Sequence, residues 1–131
     1  MRYIVCLIAG LLVGALFAMT LANALQRRNA WPRAVMTVMQ HELGAARDAA
    51  RAGRCSATDG AAADAHLGLL GQDLERAFPD IAEERVFKQY ADEFRTAVQK
   101  AAAAGGGDCP HRAAALTDVA NASDACHRDY R

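Results

Sequence analysis

L-T-D-V-A-N-A-S-D-A-C-H-R-D-Y-R, residues 116–131, carries the reading on which the rest of the chain depends. Leu116, Ala120, Ser123, His127 and Tyr130 step by 4, 3, 4 and 3, the spacing of one stripe on an α-helix. The stretch is therefore an inward-facing helix, with His127 on its buried stripe and Cys126 beside it. Ser123 stands three residues before the cysteine. Residues at i, i+3 and i+4 share a helix face, so Ser123, Cys126 and His127 are presented together. An ordinary buried thiol next to a hydrogen-bonded histidine gives the same letters, and the setting has to decide between the two readings.

Working outward, the composition favours helices. The chain has 131 residues, with 15 basic and 15 acidic side chains and a formal net charge of zero. No basic patch of the kind nucleic acid needs is present. Hydrophobic residues make up 53%, much of it alanine, while aromatics are only 6%. The alternation expected of strands is missing, and small-residue helix interfaces are expected instead.

Residues 3–22 contain no charge, and roughly 20 apolar residues suffice to cross a bilayer. Ala22-Asn23-Ala24 resembles a small-x-small signal-peptidase site. An uncleaved anchor and a cleaved signal peptide both fit. The apolar run exceeds the roughly 7–15 residues of a signal core, which favours the anchor. Arg2 on one side and Arg27-Arg28 on the other leave its orientation undecided. Gly10 and Gly14 form G-x-x-x-G, a helix-pairing pattern that two lipid-facing glycines produce equally well.

Four helical segments follow. The first runs from about Ala30 to Ala52, with Pro32 in its first turn and Gly53 at its end. Its inward stripe is Pro32, Met36, Met39, Leu43, Ala46 and Ala50. The second runs from about Asp59 to Phe78 and is stopped by Pro79. The third starts at Asp80, where Glu83 completes a capping-box pattern, and ends at Gly105-Gly106-Gly107; Phe87, Tyr90, Phe94, Ala97 and Ala101 face in. Asp108 or Cys109 caps the fourth. Short connections make successive helices antiparallel neighbours. The expected fold is all-α: an up-down-up-down four-helix bundle over residues 29–131, preceded by a transmembrane or signal helix within residues 1–28.

That topology constrains the cysteines. Cys55 and Cys109 fall in loops at the same end of the bundle. Cys126 lies about 25 Å along the last helix from Cys109 at 1.5 Å per residue, far beyond the roughly 7 Å between Cα atoms that a disulfide allows. A Cys55–Cys109 bridge is expected, which suits an oxidising compartment. Cys6 lies in the apolar segment, and Cys126 is left unpaired. The topology also places Met36, two turns into its helix, at the height of His127, with Met39 one turn further on.

Haem attachment uses C-x-x-C-H: two thiols bond the vinyl groups and the histidine binds the iron. Here the pattern is S-x-x-C-H, from Ser123 to His127. With V-M-T-V-M-Q-H-E-L-G (35–44), V-F-K-Q-Y-A-D-E-F (86–94) and the stretch 116–131, the chain resembles the class II c-type cytochromes, the cytochrome c′ family. The resemblance implies a four-helix bundle holding c-type haem, with His127 as proximal ligand and Cys126 as thioether donor. It places Met36 at the distal position, and Tyr130 and Arg131 as the pair packed near the haem. Serine at 123 removes the second thioether, which leaves a single thioether through Cys126, a haem held only by ligation, or no haem. A methionine at the distal position resembles the six-coordinate electron carriers; an uncoordinated one resembles the gas-binding members, and a haem-free bundle with a structural or interaction role is the remaining alternative. Homodimer formation is a further family trait.

The expected function is thus a periplasmic haem protein that transfers electrons, anchored to the inner membrane by residues 3–22 or exported by a cleaved signal peptide, with a redox protein as partner. No Ser/His/Asp constellation, phosphate-binding glycine loop or paired carboxylates point to an enzyme. His41, His66 and His111 are read as surface histidines, and Asp48, Arg51, Asp92 and Arg95 as solvated helix faces.

Overall fold

The computed structural model describes residues 2–130, which fold as an all-α protein with the element order α1 (Arg2–Arg51), α2 (Ala61–Gln72), α3 (Leu74–Ala77), α4 (Arg85–Ala103) and α5 (Cys109–Asp129). Two compact units divide after Ala34.

The first unit is the apolar part of α1. Residues Cys6–Leu25 have a mean hydropathy of 2.1 and none of the span is buried; Leu7, Leu11, Leu16 and Phe17 are all exposed. A helix that displays leucine on every side has no stable place in water. Length and composition suit a membrane anchor or a signal peptide.

A fresh helix start near Ala30 does not occur. The chain stays helical through residues 23–31, and Pro32 lies inside α1 rather than in a first turn. Alanine, leucine, glutamine and arginine dominate Ala22–Ala30; all favour helix, so nothing in that run breaks it. Proline inside a helix removes one backbone hydrogen bond. Ala22-Asn23-Ala24 is thereby inside a continuous helix.

The second unit is the bundle. Its helices are the C-terminal part of α1 from Val35 onward, the α2–α3 pair, α4 and α5. The core is built from small and medium side chains: Val35, Met39, Ala46 and Ala50 from α1, Leu67 and Leu74 from α2 and α3, Phe87, Phe94 and Val98 from α4, and Leu116 and Val119 from α5. Alanines 63, 77, 91, 97, 101 and 115 fill the rest, which lets the helices approach closely.

The second expected helix is broken in two at Asp73, whose backbone N–H is shared between the carbonyls of Leu69 and Leu70. The cause is tertiary: Arg95 of α4 donates from Nε to the Gly71 carbonyl at 2.9 Å and from Nη2 to Glu75. No helix starts at Asp80. Residues 78–84 make a turn instead, with Ile81 N–H donating to the Phe78 carbonyl and Glu84 N–H to the Ile81 carbonyl. Helix α4 starts later, after Glu84. At α5 the Asp108 side chain accepts from the His111 N–H at 2.8 Å, and Pro110 sits in the first turn.

Cys55 and Cys109 are disulfide-bonded, their Cα atoms 5.4 Å apart, as the topology requires. Gly106, at φ 87°, donates its N–H to the Cys55 carbonyl at 3.1 Å; a side chain would be strained at that φ. The loop after α1 and the loop before α5 are therefore tied together at one end of the bundle.

Candidate functional site

The other end of the bundle holds a cavity of about 150 Å³. Helix α1 contributes Met36 and Met39, and α5 contributes Ala122, Ser123, Cys126, His127 and Tyr130. Helix α4 supplies Phe87, Tyr90, Ala91 and Phe94, and α3 with the turn that follows supplies Leu74, Phe78 and Ile81. A second, smaller void of about 20 Å³ adjoins it, and Met36, Met39, Phe94, Ser123 and His127 line both. Two thioethers, an imidazole and a hydroxyl thus stand together where the voids meet. No carboxylate among the described residues lines either void.

Helical spacing explains the grouping. Met36 and Met39 are three apart on α1, while Ser123, Cys126 and His127 are three and one apart on α5. Met39 is buried; Met36, Ser123, Cys126 and His127 are half-buried, so their polar and sulfur atoms can be approached. His127 makes no hydrogen bond or ion pair among the described residues. His66 differs: its Nδ1 lies 2.9 Å from Glu42 Oε1 at the bundle surface. His41 and His111 are also exposed. Burial first, and then the Asp129 carboxylate, push the Cys126 thiol above its ordinary value, so at neutral pH it is a thiol rather than a free thiolate.

The end of α5 is latched to the start of α4 beside the cavity. Tyr130 packs edge-on against Phe87 and Tyr90, with centroids 5.7 and 6.4 Å away. Its hydroxyl donates to Glu84 Oε2 at 2.9 Å, and Tyr90 donates to Asp129 Oδ2 at 2.6 Å. Desolvation, then the hydrogen bond to Glu84, push the Tyr130 phenol up to about 12. The phenol of Tyr90 is also raised, chiefly by its bond to Asp129. Both tyrosines are therefore proton donors throughout the neutral range.

Of the expected site residues, Met36, Ser123, Cys126, His127 and Tyr130 line one cavity, and Met39 joins them. Arg131 lies outside the described residues. Cys55 and Cys109 belong to the disulfide. Phe78 and Ile81 escaped the sequence reading because a helix was expected to begin at Asp80; an isoleucine inside P-D-I-A-E-E is the signal that marks the turn as covering something. A wider surface groove of about 660 Å³ runs along α4 and α5. Its walls mix Arg85, Lys88 and Lys100 with Asp92, Glu93 and Asp118; balanced charge of this kind belongs to a solvated helix face.

The donors suit haem: imidazole and thioether are both ligands of haem iron, and a thiol stands next to the imidazole. The space is smaller than a macrocycle needs. Sites for drug-sized ligands are about 300–1,000 Å³, against about 150 Å³ here. A porphyrin enters only if part of the wall moves outward.

No protein-family model, curated protein or solved structure matches the chain.

Proposed function

We propose that the protein is a periplasmic haem-binding electron carrier of the kind the class II cytochromes c represent, held at the inner membrane by the apolar part of α1. The observation that carries this reading is the convergence of Met36, Ser123, Cys126 and His127 on one cavity, with the His127 imidazole making no hydrogen bond or ion pair among the described residues. Haem bound there would supply a one-electron couple. His127 offers a ring nitrogen as proximal ligand, and Met36 or its neighbour Met39 a thioether as distal ligand; such a pair raises the reduction potential. The Cys126 thiol is the one group placed for a thioether bond, because Ser123 has no sulfur. Phe87, Phe94 and Leu74 keep water from the ligands, and the Tyr130 latch holds the last turn of α5. A redox protein partner would meet the half-buried edge formed by Cys126, His127 and Tyr130.

Anchoring is supported by the helix that passes unbroken through Ala22-Asn23-Ala24, since a cleavage site must be presented to the peptidase in accessible, extended form. Export by a cleaved signal peptide is the other outcome, and the mass of the mature chain decides between them.

The test is the absorption spectrum of the chain produced in a periplasm with active c-type maturation, before and after acid-acetone extraction. A Soret band that survives extraction is the expected result. A folded helical protein with no Soret band overturns the proposal.

A further inference from the structure

We infer that the haem-free cavity is a binding site for a single cuprous ion, ligated by the thioethers of Met36 and Met39, the imidazole of His127 and the thiolate of Cys126. All four residues line the same cavity, and Met36, Met39 and His127 also line the adjoining void, so three of the four donor-bearing residues border both spaces. The inference does not rest on the haem reading. It makes a different demand on the cavity, because an ion with its ligands needs far less room than a macrocycle.

The chemistry of the donors selects the metal. Thioether and thiolate are soft ligands that favour Cu(I), while carboxylate, carbonyl and water suit magnesium, calcium and manganese. No carboxylate among the described residues lines the cavity. Zinc sites are built from cysteine, histidine and acidic side chains, and no three such side chains are placed to hold one ion among the described residues. The charge also balances. Binding replaces the Cys126 thiol proton with Cu⁺, the proton leaves to solvent, and the metal–thiolate pair is neutral. A neutral pair is the form that walls such as Phe87, Phe94 and Leu74 tolerate, since burying an isolated charge is costly. No electron is transferred in this step. His127 is ready to ligate, because no hydrogen bond within the described residues has to be broken first.

The experiment uses the full chain in detergent micelles, produced without haem and titrated anaerobically with Cu(I) against the chromophoric chelator bicinchoninate. The wild type is expected to withdraw one equivalent of copper. Cys126→Ser and His127→Gln are each expected to weaken binding by at least about 100-fold, since changes to mere supporting groups already cost roughly 10–100-fold. Met36→Leu combined with Met39→Leu nearly conserves volume, so this variant keeps its helical circular dichroism while losing copper affinity. Cys6→Ser is expected to bind as the wild type does. The inference is overturned if bicinchoninate retains the copper in the presence of wild-type chain, or if Cys126→Ser or His127→Gln still takes one equivalent with unchanged affinity. It is equally overturned if Zn(II) binds as tightly as Cu(I) and the methionine variant binds both normally.

Discussion

Arg112 of α5 donates from Nη2 to both carboxylate oxygens of Asp64 of α2, at 2.7 and 2.8 Å. The arginine is 3% exposed, and its Nη1 also donates to the Ala101 carbonyl at the end of α4. One guanidinium therefore closes three helices at the disulfide end of the bundle, satisfying its own donors and a helix-end carbonyl. Removing one partner of a buried pair leaves an uncompensated charge, at a cost of about 3–5 kcal/mol. Asp64→Asn is accordingly expected to lower unfolding stability by about that amount, read as the midpoint shift in urea. A loss below about 1 kcal/mol would mean that the pair behaves as a surface contact.

Reduction of the Cys55–Cys109 bridge releases a loop spanning 54 residues. The chain-entropy relation puts its contribution at about 4 kcal/mol. The double variant Cys55→Ser, Cys109→Ser is expected to lose stability of that order. Because the bridge and the cavity lie at different ends of α5, ligand binding should persist in whatever fraction remains folded. Loss of binding in a demonstrably folded variant would contradict this separation.

The latch at Tyr130 has separable parts. Tyr130→Phe removes only the hydrogen bond to Glu84, worth about 0.5–1.5 kcal/mol, and keeps the ring against Phe87. Tyr130→Ala also removes the ring, which costs up to about 3–5 kcal/mol for a buried aromatic and less here because the residue is half-buried. Thermal denaturation is expected to rank the variants wild type, then phenylalanine, then alanine. Equal effects of the two substitutions would assign the whole latch to the hydrogen bond.

Acid should loosen the join between α3 and α4. Desolvation raises the Glu75 carboxyl, but the hydrogen bonds from Arg95 and the backbone and the nearby positive charges outweigh it, so the net shift is below the ordinary 4.5. A carboxyl depressed in the folded state stabilises it above the unfolded value, and that stabilisation is lost as pH falls through the folded value. Glu75→Gln is expected to be less stable than wild type at neutral pH. The two should converge below about pH 4 as the carboxylate is protonated. Parallel stability curves across the whole acid range would show that Glu75 does not carry the effect.

Ser123→Cys tests the haem reading at the position where the chain departs from C-x-x-C-H. Ser123 lines the cavity three residues before Cys126, so the new thiol lies on the same helix face. With c-type maturation active, a larger fraction of haem should resist acid-acetone extraction in the variant than in wild type. An unchanged fraction would mean that the cavity does not present this face to a porphyrin.

The sequence alone determined the helices and their faces. Apolar spacing near 3.6 residues marked Met39, Ala46, Phe87, Phe94 and Leu116 as inward, and all five are buried. Short connections then fixed the antiparallel order, and with it the Cys55–Cys109 pairing. Local periodicity suffices there because burying one face of each helix is the dominant demand on the fold. Only the tertiary structure decided which charged residues leave the surface. Nothing local in the sequence marks Arg112 and Asp64, and 48 residues separate them; their burial depends on two helices meeting with complementary groups opposite one another. The break at Asp73 also involves a partner from elsewhere in the chain, since Arg95 of α4 bonds to Gly71 and Glu75 on either side of it. The candidate site shows the same division. Its residue types were legible from their spacing, but the size of the cavity follows from how four helices pack, a property no single segment contains.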